Sequence, residues 1–203
     1  LNTVALEVVA LPGARVLPRA AGLPDDYFEH DGQLTKREIR AVALSSLMPQ
    51  AGQLLWDVGA GAGSIAIEWL LSHASLEAIA IEARADRAAR IARNAAALGV
   101  PRLRIVQGEA PAALTELPRP DAVFIGGGAT DPGVFEAAVE ALTPGGRLVA
   151  NGVTLETASL LIARHAALGG ELIRLAVARA APLAGMTGWR PAMPVTQWSW
   201  VKP

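Results

Sequence analysis

The chain has 203 residues, of which 52% are hydrophobic and only 4% aromatic, and its formal net charge is −1. This length accommodates one α/β domain with a short extension. The balanced charge excludes the broad basic field of general nucleic-acid binders, so we expect no nucleic-acid partner. The absence of cysteine excludes disulfides, thiolate zinc sites and a cysteine nucleophile.

Metal binding and membrane insertion both lack a signal in the sequence. The three histidines, His30, His73 and His165, show no ligand spacing, so we expect no metal site. No apolar run reaches the roughly 18 residues that a membrane span needs. No basic segment precedes a signal-like apolar core. We therefore expect a cytoplasmic protein without a membrane partner.

The first residues differ in character from the rest of the chain. Residues 3–10 are apolar and β-branched and predict a strand, and a connector rich in proline, glycine and arginine follows. The chain also begins without methionine. We therefore expect residues 1–21 to be the residual strand and linker of a preceding domain, and residues 22–203 to be the main domain.

Strand-like and helix-like segments alternate through the main domain. Residues 35–38 fit a capping box, which predicts a helix beginning at Thr35. The predicted strands are 53–58, 77–82, 102–106, 120–125 and 146–151, and the predicted helices are 64–73, 85–98, 132–142 and 155–168. This alternation predicts a doubly wound, Rossmann-like α/β fold with a mostly parallel sheet. At the end, residues 172–180 and 195–201 predict two antiparallel strands joined through 185–189, for seven strands in all.

A glycine-rich loop follows the first predicted strand of the alternating region and leads into a helix. Such glycines allow a tight turn and close approach of a ligand, and the helix N-terminus offers free N–H groups. The loop does not match the dinucleotide fingerprint, because its sixth position is Ser64 rather than glycine. The alternative is a tight turn that binds nothing. The loop residues are Gly59, Ala60, Gly61, Ala62 and Gly63.

Two acidic residues flank this loop in the predicted sheet. Glu82 ends the next strand, about 20 residues further on, where a carboxylate can accept hydrogen bonds from ribose hydroxyls. A solvated charge at a strand end is the alternative for Glu82. Asp57, just before the loop, either holds the loop N–H groups, meets a ligand ammonium group or has a purely structural role.

The next two strand ends are also rich in small residues. Gly108 and Ala110 leave room for a flat adenine, and Glu109 either accepts a hydrogen bond from the adenine amine or caps the following helix. Three consecutive glycines, 126–128, follow the fourth strand. Because ligands bind at the carboxyl ends of strands in open α/β sheets, these glycines favour a close ligand.

Together, these segments resemble the class I S-adenosylmethionine-dependent methyltransferases over about residues 35–151. The carrying motifs are 57–63, Glu82, 108–110, 121–128 and 144–146. A narrower resemblance, over about 22–203, is to the CbiT-type decarboxylating precorrin methyltransferases of cobalamin (vitamin B12) biosynthesis. It rests on segments 22–28, 34–40, 107–111, 124–128 and 151–157.

The narrower resemblance implies a specific activity and specific partners. That family methylates meso carbon 15 of a precorrin and decarboxylates its ring C acetate, with S-adenosylmethionine as the cofactor and S-adenosylhomocysteine as the product. In many bacteria this domain is fused behind a second methyltransferase domain that acts at carbon 5. The resemblance thus implies a precorrin tetrapyrrole substrate, a fused N-terminal methyltransferase domain in the full-length protein and a homotetramer.

The resemblance also implies a set of site residues. Glycine-loop residues would hold the methionine end of the cofactor, Glu82 its ribose and Ala110 its adenine, while Thr35 would close the site. Methyl transfer chiefly requires alignment and exclusion of water, so no catalytic residue is assigned. The expected cofactor-binding residues are Thr35, Asp57, Gly59, Ala60, Gly61, Ala62, Gly63, Glu82, Gly108, Glu109, Ala110 and Gly126. Candidates for the carboxylate-rich substrate are Lys36, Arg37, Arg40, Trp189 and Arg190, each of which has an ordinary structural role as its alternative.

Two other classes of enzyme lack their characteristic motifs in this sequence. Nucleic-acid amino-methyltransferases carry an Asp/Asn-Pro-Pro-aromatic turn after the fourth strand, whereas residues 126–130 here are Gly-Gly-Gly-Ala-Thr. A short-chain dehydrogenase needs Tyr-x-x-x-Lys, but the single tyrosine, Tyr27, is followed four positions later by Asp31. Two alternatives stay open: a methyltransferase acting on another small molecule, and a non-catalytic cofactor-binding subunit.

Overall fold

The computed structural model describes residues 3–14 and 16–203. Nine strands and five α-helices form in this part of the chain. The strands are β1 Leu54–Val58, β2 Glu77–Glu82, β3 Arg104–Gln107, β4 Ala122–Ile125, β5 Arg147–Gly152, β6 Glu171–Leu175, β7 Ala178–Leu183, β8 Met186–Pro191 and β9 Val195–Val201. The helices are α1 Arg37–Leu47, α2 Ser64–Ser72, α3 Ala85–Ala97, α4 Val134–Ala141 and α5 Leu155–Leu168.

Seven of the strands form one sheet in the order β3-β2-β1-β4-β5-β9-β6. The first five pair in parallel, β9 is antiparallel to β5, and β6 is antiparallel to β9. One apolar cluster packs α1, α2 and α3 on one face, and a second cluster packs α4 and α5 on the other. The predicted α/β, Rossmann-like fold with a mostly parallel seven-stranded sheet is therefore confirmed.

The central strands are apolar because both of their faces are covered. Every residue of β1 and of β4 is buried, as the continuous apolar character of parallel strands requires. The carboxyl ends of β1 to β5 therefore meet at one edge of the sheet. The loops that follow these strands carry the glycines and acids that the sequence singles out.

The C-terminal region contains the predicted antiparallel pair, formed by β6 and β9, but the connection between these strands differs from the prediction. The predicted strand 172–180 is two strands, β6 and β7, and residues 185–189 do not form a connector but belong mostly to β8. Ala184 and Gly185 both have positive φ, 46° and 81°, so they form the tight two-residue turn that joins β7 to β8. The β7–β8 hairpin is a separate two-stranded sheet, while β6 and β9 complete the main sheet.

The predicted capping box also does not form. Helix α1 begins at Arg37, its N-cap is Lys36, and no side chain caps it. Thr35 lies one residue too early, and its carbonyl oxygen accepts a hydrogen bond from the Arg40 guanidinium group. This arginine, on the first turns of α1, positions the preceding segment in place of the hydroxyl.

Arg40 is a wholly buried hub rather than a surface residue. Its Nε donates to Glu68 Oε1 at 2.5 Å, and its Nη1 contacts Asp25 Oδ1 at 3.2 Å. The guanidinium group also donates to the carbonyl oxygen of Leu23, whose own N–H donates to the Glu68 carboxylate. These contacts fasten the segment before α1 to α2, and they use four of the five N–H donors of Arg40.

The predicted strand at residues 3–10 is not formed. Residues 3–10 carry no regular secondary structure and are exposed, including Val4, Leu6 and Val8. The physical reason is that no described strand lies beside them to accept their hydrogen bonds or cover their side chains. Residues 1, 2 and 15 of the expected extension 1–21 lie outside the described residues, and its origin in a preceding domain stays a prediction. No helix in the described ranges is long and apolar enough to span a membrane.

Candidate functional site

A cavity of about 930 Å³ opens at the carboxyl edge of the parallel strands. Its volume is near the top of the roughly 300–1,000 Å³ range of small-molecule sites. The glycine loop after β1, the ends of β2 to β5, the segment before α1 and part of the C-terminal region surround it. The predicted edge of the sheet therefore does hold a concave site.

The glycine loop depends on its glycines for two separate reasons. Gly59, Gly61 and Gly63 have φ angles of 70°, 60° and 76°, a region that other residues rarely adopt. A Cβ on Gly59 would lie 2.8 Å from the backbone of Gly127, and one on Gly63 would lie 2.7 Å from Ile91. A Cβ on Gly61, in contrast, would meet only a carbonyl oxygen at 3.5 Å. Loop packing explains Gly59 and Gly63, whereas a Cβ would find room at Gly61, which lines the cavity.

Glu82, at the end of β2, connects this loop to the cavity wall. Its Oε2 accepts a hydrogen bond from the Gly61 N–H at 2.8 Å, and its Oε1 accepts one from the Arg84 N–H at 3.1 Å. The side chain is buried yet lines the cavity. A carboxylate has about four acceptor positions, so both oxygens keep capacity for ligand hydroxyl groups.

Asp57 lies behind the loop rather than in the cavity. It is buried, and its Oδ2 accepts a hydrogen bond from the Ala66 N–H at 3.1 Å, which satisfies a free donor in the first turn of α2. Burial raises the pKa of Asp57 to about 7, the Ala66 hydrogen bond opposes this rise, and the nearby Glu82 charge adds to it. These contacts support the structural alternative for Asp57.

The expected cofactor-binding residues divide into two groups. Three of them, Asp57, Ala62 and Gly63, do not line the cavity. The other nine do line it: Thr35, Gly59, Ala60, Gly61, Glu82, Gly108, Glu109, Ala110 and Gly126. Residues from four strand ends and from the N-terminal segment thus converge on one space, as the sequence predicts.

Only one of the expected substrate-binding residues lines the cavity, and that residue is Lys36. Arg40 is buried in the hub described above, so its assignment to substrate binding is wrong. Arg37 is exposed on α1, and Trp189 and Arg190 are exposed on β8, all away from the cavity lining. The last two residues lie on the unpredicted β7–β8 hairpin, which is a sheet separate from the main one.

Other cavity residues were missed by the sequence reasoning. Arg179 on β7 forms an ion pair with Glu38 on α1, and both side chains line the cavity. The two residues are 141 positions apart, and no local pattern signals their meeting. Asn151, in contrast, ends a predicted strand at the same edge as the glycine loop, and this position was the available signal. Apolar side chains complete the wall on this side: Ile39, Val153, Val177, Met193 and Val195.

Charged residues of α3 hold the N-terminal segment in place. Arg87 pairs with Asp31 at 2.9 Å, and Arg93 pairs with Glu29 at 2.6 Å. The hydrogen bond from Arg87 holds the pKa of Asp31 well below its usual range, as the bond from Arg93 does for Glu29. The residues that follow, 32–36, form one wall of the cavity.

Asn94 makes a second, buried connection between this segment and the glycine loop. Its Oδ1 accepts a hydrogen bond from the Glu29 N–H at 2.8 Å. Its Nδ2 donates to the carbonyl oxygens of Glu29 and Ala62, both at 2.9 Å. The Asn94 amide group therefore fixes the N-terminal segment relative to the glycine loop.

Within residues 3–14 and 16–203, no group of three or more histidine, aspartate or glutamate side chains is arranged to hold a metal ion.

Solved structures define the class of this fold. The C-terminal domain of precorrin-6Y C5,15-methyltransferase from Rhodobacter capsulatus is 48% identical, with a TM-score of 0.86, over 92% of this chain and 100% of that chain. A SAM-dependent O-methyltransferase from Thermotoga maritima shares the fold alone, at 18% identity and a TM-score of 0.65, over 84% of this chain and 66% of that chain. The protein therefore has the class I methyltransferase fold.

Sequence comparison identifies the family more narrowly. The chain belongs to the precorrin methyltransferase domain family, whose sequence model matches residues 26–202. A decarboxylating precorrin-6Y C(5,15)-methyltransferase from a Sinorhizobium species is 62% identical over 202 residues, which is 100% of this chain and 49% of that protein. A relative of the same name from Mycobacterium tuberculosis is 47% identical, over 100% of this chain and 51% of its own length. The chain thus spans about half the length of these curated relatives.

A shorter relative corresponds to this domain alone. It is a probable cobalt-precorrin-6B C(15)-methyltransferase (decarboxylating) from Pyrobaculum calidifontis, 38% identical over 165 residues. The match covers 78% of this chain and 84% of that protein. The family therefore includes members of nearly this size.

Proposed function

We propose that this chain transfers a methyl group from S-adenosylmethionine to meso carbon 15 of a precorrin and removes the ring C acetate carboxyl group as carbon dioxide, in cobalamin biosynthesis. The observation that carries the proposal is the large cavity formed by the glycine loop, Glu82 and an apolar far wall in a chain of this family. The short relative supports the assignment of both steps to this domain, because its name gives methylation at carbon 15 and decarboxylation together.

The residues of the loop region fit the proposed cofactor. Gly61 lies open to the cavity, so a ligand can approach the backbone there, and Glu82 retains acceptor positions for ribose hydroxyls. Gly108 and Ala110 line the cavity at the end of β3, and their small size leaves room for adenine. When bound, S-adenosylmethionine supplies an electrophilic methyl group, and S-adenosylhomocysteine is the product.

The opposite side of the cavity fits a carboxylate-bearing macrocycle. Ile39, Val177 and Met193 offer an apolar wall to the ring system. Lys36 lines the same space and forms no ion pair with the described residues. The pair between Arg179 and Glu38 is about half exposed, so it contributes little to stability and a substrate carboxylate can compete for the arginine.

The chemistry of such a substrate makes few demands on catalytic side chains. The meso carbon of a reduced tetrapyrrole is enamine-like, and its electron pair forms the new carbon–carbon bond while the carbon–sulfur bond breaks toward sulfur. In decarboxylation, the bond to the carboxylate breaks, its electron pair enters the conjugated imine system, and a proton then completes the new methyl group. The residues described here bind, orient and exclude water, which is the main requirement for such displacements.

We also propose the setting in which this domain acts. The full-length protein carries an N-terminal methyltransferase domain, which is supported by the twofold greater length of the closely similar relatives. A homotetramer is supported by exposed apolar side chains on the β7–β8 hairpin, among them Leu183, Met186 and Trp189. A cytoplasmic location follows from the biosynthetic role.

Transfer of an isotope-labelled methyl group tests the proposed substrate class. The chain is incubated with labelled S-adenosylmethionine and either a precorrin or a catechol, a common small-molecule methyl acceptor. We expect label in the precorrin only, and less label with a Glu82→Ala variant at limiting cofactor. Label in the catechol alone would show that the chain is a methyltransferase of another small molecule. Tight cofactor binding with no transfer to either acceptor would contradict the proposed substrate, and it is the result expected of a non-catalytic binding subunit.

A further inference from the structure

Residues 151–157 connect the end of β5 to the start of α5. The fold does not explain the role of one side chain in this segment. Thr154 caps α5, because its hydroxyl accepts a hydrogen bond from the Thr157 N–H at 3.2 Å. A Cβ on Gly152 would lie 2.4 Å from the Thr157 side chain, so glycine is needed at that position for close packing. These roles are structural, and they leave Asn151 without one.

Asn151 has a buried amide group that makes no hydrogen bond within the protein. Both its Nδ2 and its Oδ1 are shielded from solvent and have no partner, and the residue lines the cavity. Most buried polar side-chain atoms in proteins are hydrogen-bonded, since an unpaired buried group is costly. A donor and an acceptor left unpaired beside a cavity are groups that a bound ligand can complete.

The position of Asn151 in the sheet separates it from the expected cofactor region. β5 lies two strands from β1 and three from β2, whose ends carry the glycine loop and Glu82. Side chains alternate between the two faces of a strand, so Asn151 shares a face with Val149, which packs in the cluster of α1. Its neighbours in the cavity are thus the residues of the apolar far wall.

We infer that Asn151 is a substrate-binding residue that orients the tetrapyrrole through its amide group. The inference rests on the proposed function and extends it to a specific contact. The Nδ2 donates to a carboxylate oxygen of the substrate, and the Oδ1 accepts from a ring N–H, because a reduced tetrapyrrole offers both kinds of partner. A neutral amide suits this task, because it holds a polar group against an apolar wall without burying a charge.

A structural alternative exists on the neighbouring strand. Asn151 lies directly opposite Gln197 in the β5–β9 register, and Gln197 Oε1 is also buried and without a partner. The Gln197 Nε2 donates to Ser46 Oγ at 3.1 Å, and the residue does not line the cavity. If the Asn151 and Gln197 side chains only stabilised each other, substituting either residue would have the same effect on precorrin binding and on stability. Gln197 is therefore a matched control.

The test compares Asn151→Leu, Asn151→Ala and Gln197→Leu with the unmodified chain. We measure precorrin binding by absorbance titration, precorrin KM and kcat, S-adenosylhomocysteine affinity by calorimetry, and thermal unfolding. We expect both Asn151 variants to raise the precorrin Kd and KM by about tenfold, with cofactor affinity unchanged within twofold. Gln197→Leu should leave the precorrin Kd and KM unchanged. The leucine variant keeps the number and branching of the side-chain heavy atoms, so it guards against a folding failure of the alanine variant.

The outcomes separate this inference from the proposed function. If the unmodified chain binds precorrin and the Asn151 variants bind it equally well, the inference is wrong while the proposed function stands. Equal losses in the Asn151 and Gln197 variants would likewise overturn it in favour of a structural role. If the unmodified chain binds the cofactor but no precorrin, the proposed function itself fails.

Discussion

Loss of the Arg40 hub should destabilise the protein and loosen the cavity together. Substituting Arg40→Met keeps much of the apolar stem but leaves the Glu68 carboxylate buried without its cation. Breaking a buried ion pair by removing one partner costs about 3–5 kcal/mol. This is a large part of the roughly 5–15 kcal/mol of stability that a domain has. Residues 32–36, which follow the fastened segment, line the cavity, so we also expect weaker S-adenosylhomocysteine binding.

Urea unfolding followed by fluorescence measures the free energy of unfolding of this variant. Arg93→Met is the matched control, because Arg93 makes a two-pronged pair with Glu29 at an exposed site and should change stability little. The double variant Arg40→Met, Glu68→Gln removes the unpaired charge, so it should be more stable than Arg40→Met alone. A loss from Arg40→Met below about 1 kcal/mol, or equal to that from Arg93→Met, would refute the reasoning.

Three further predictions concern the glycine loop and its supports. Glu82→Ala should weaken S-adenosylhomocysteine binding by about 1–3 kcal/mol in calorimetry, and unchanged affinity would remove Glu82 from the site. Gly59→Ala should destabilise the fold more than Gly99→Ala, because both residues have positive φ but only a Cβ on Gly59 would meet backbone, that of Gly127; equal melting temperatures would contradict this. Between pH 3.8 and about 7, Asp57 is protonated in the folded protein but ionised in the unfolded chain. The free energy of unfolding therefore falls as the pH rises through this range, by up to about 4 kcal/mol from Asp57 alone. Asp57→Asn should lose this part of the pH dependence in urea titrations at pH 5 and 8, and an unchanged dependence would refute the assignment.

The parallel part of the fold follows from local sequence patterns, whereas the C-terminal region does not. Strands β1 to β5 are short apolar runs separated by helical segments, so periodicity places each within a few residues. The β7–β8 hairpin is mostly exposed and carries little apolar alternation. Its turn at residues 184–185 depends on a positive φ at an alanine, Ala184, and no sequence rule anticipates that.

Some residues of the site are likewise predictable from the local sequence, and others depend on partners that are distant in the sequence. Glycines and acids at strand ends are predictable, because each lies beside its own strand and all such ends meet at one edge. Residues such as Arg40 and Arg179 are not, since their roles depend on partners far along the chain, Glu68 and Glu38. A basic side chain near a predicted site is therefore not evidence of substrate contact until its carboxylate partner is known.

Mass spectrometry of a precorrin incubated with this chain and S-adenosylmethionine tests the central proposal most directly. We expect a product that has gained one methyl group and lost one carbon dioxide. Methylation without loss of carbon dioxide would place decarboxylation outside this domain. An unchanged precorrin, in the presence of calorimetrically confirmed cofactor binding, would contradict the proposed substrate.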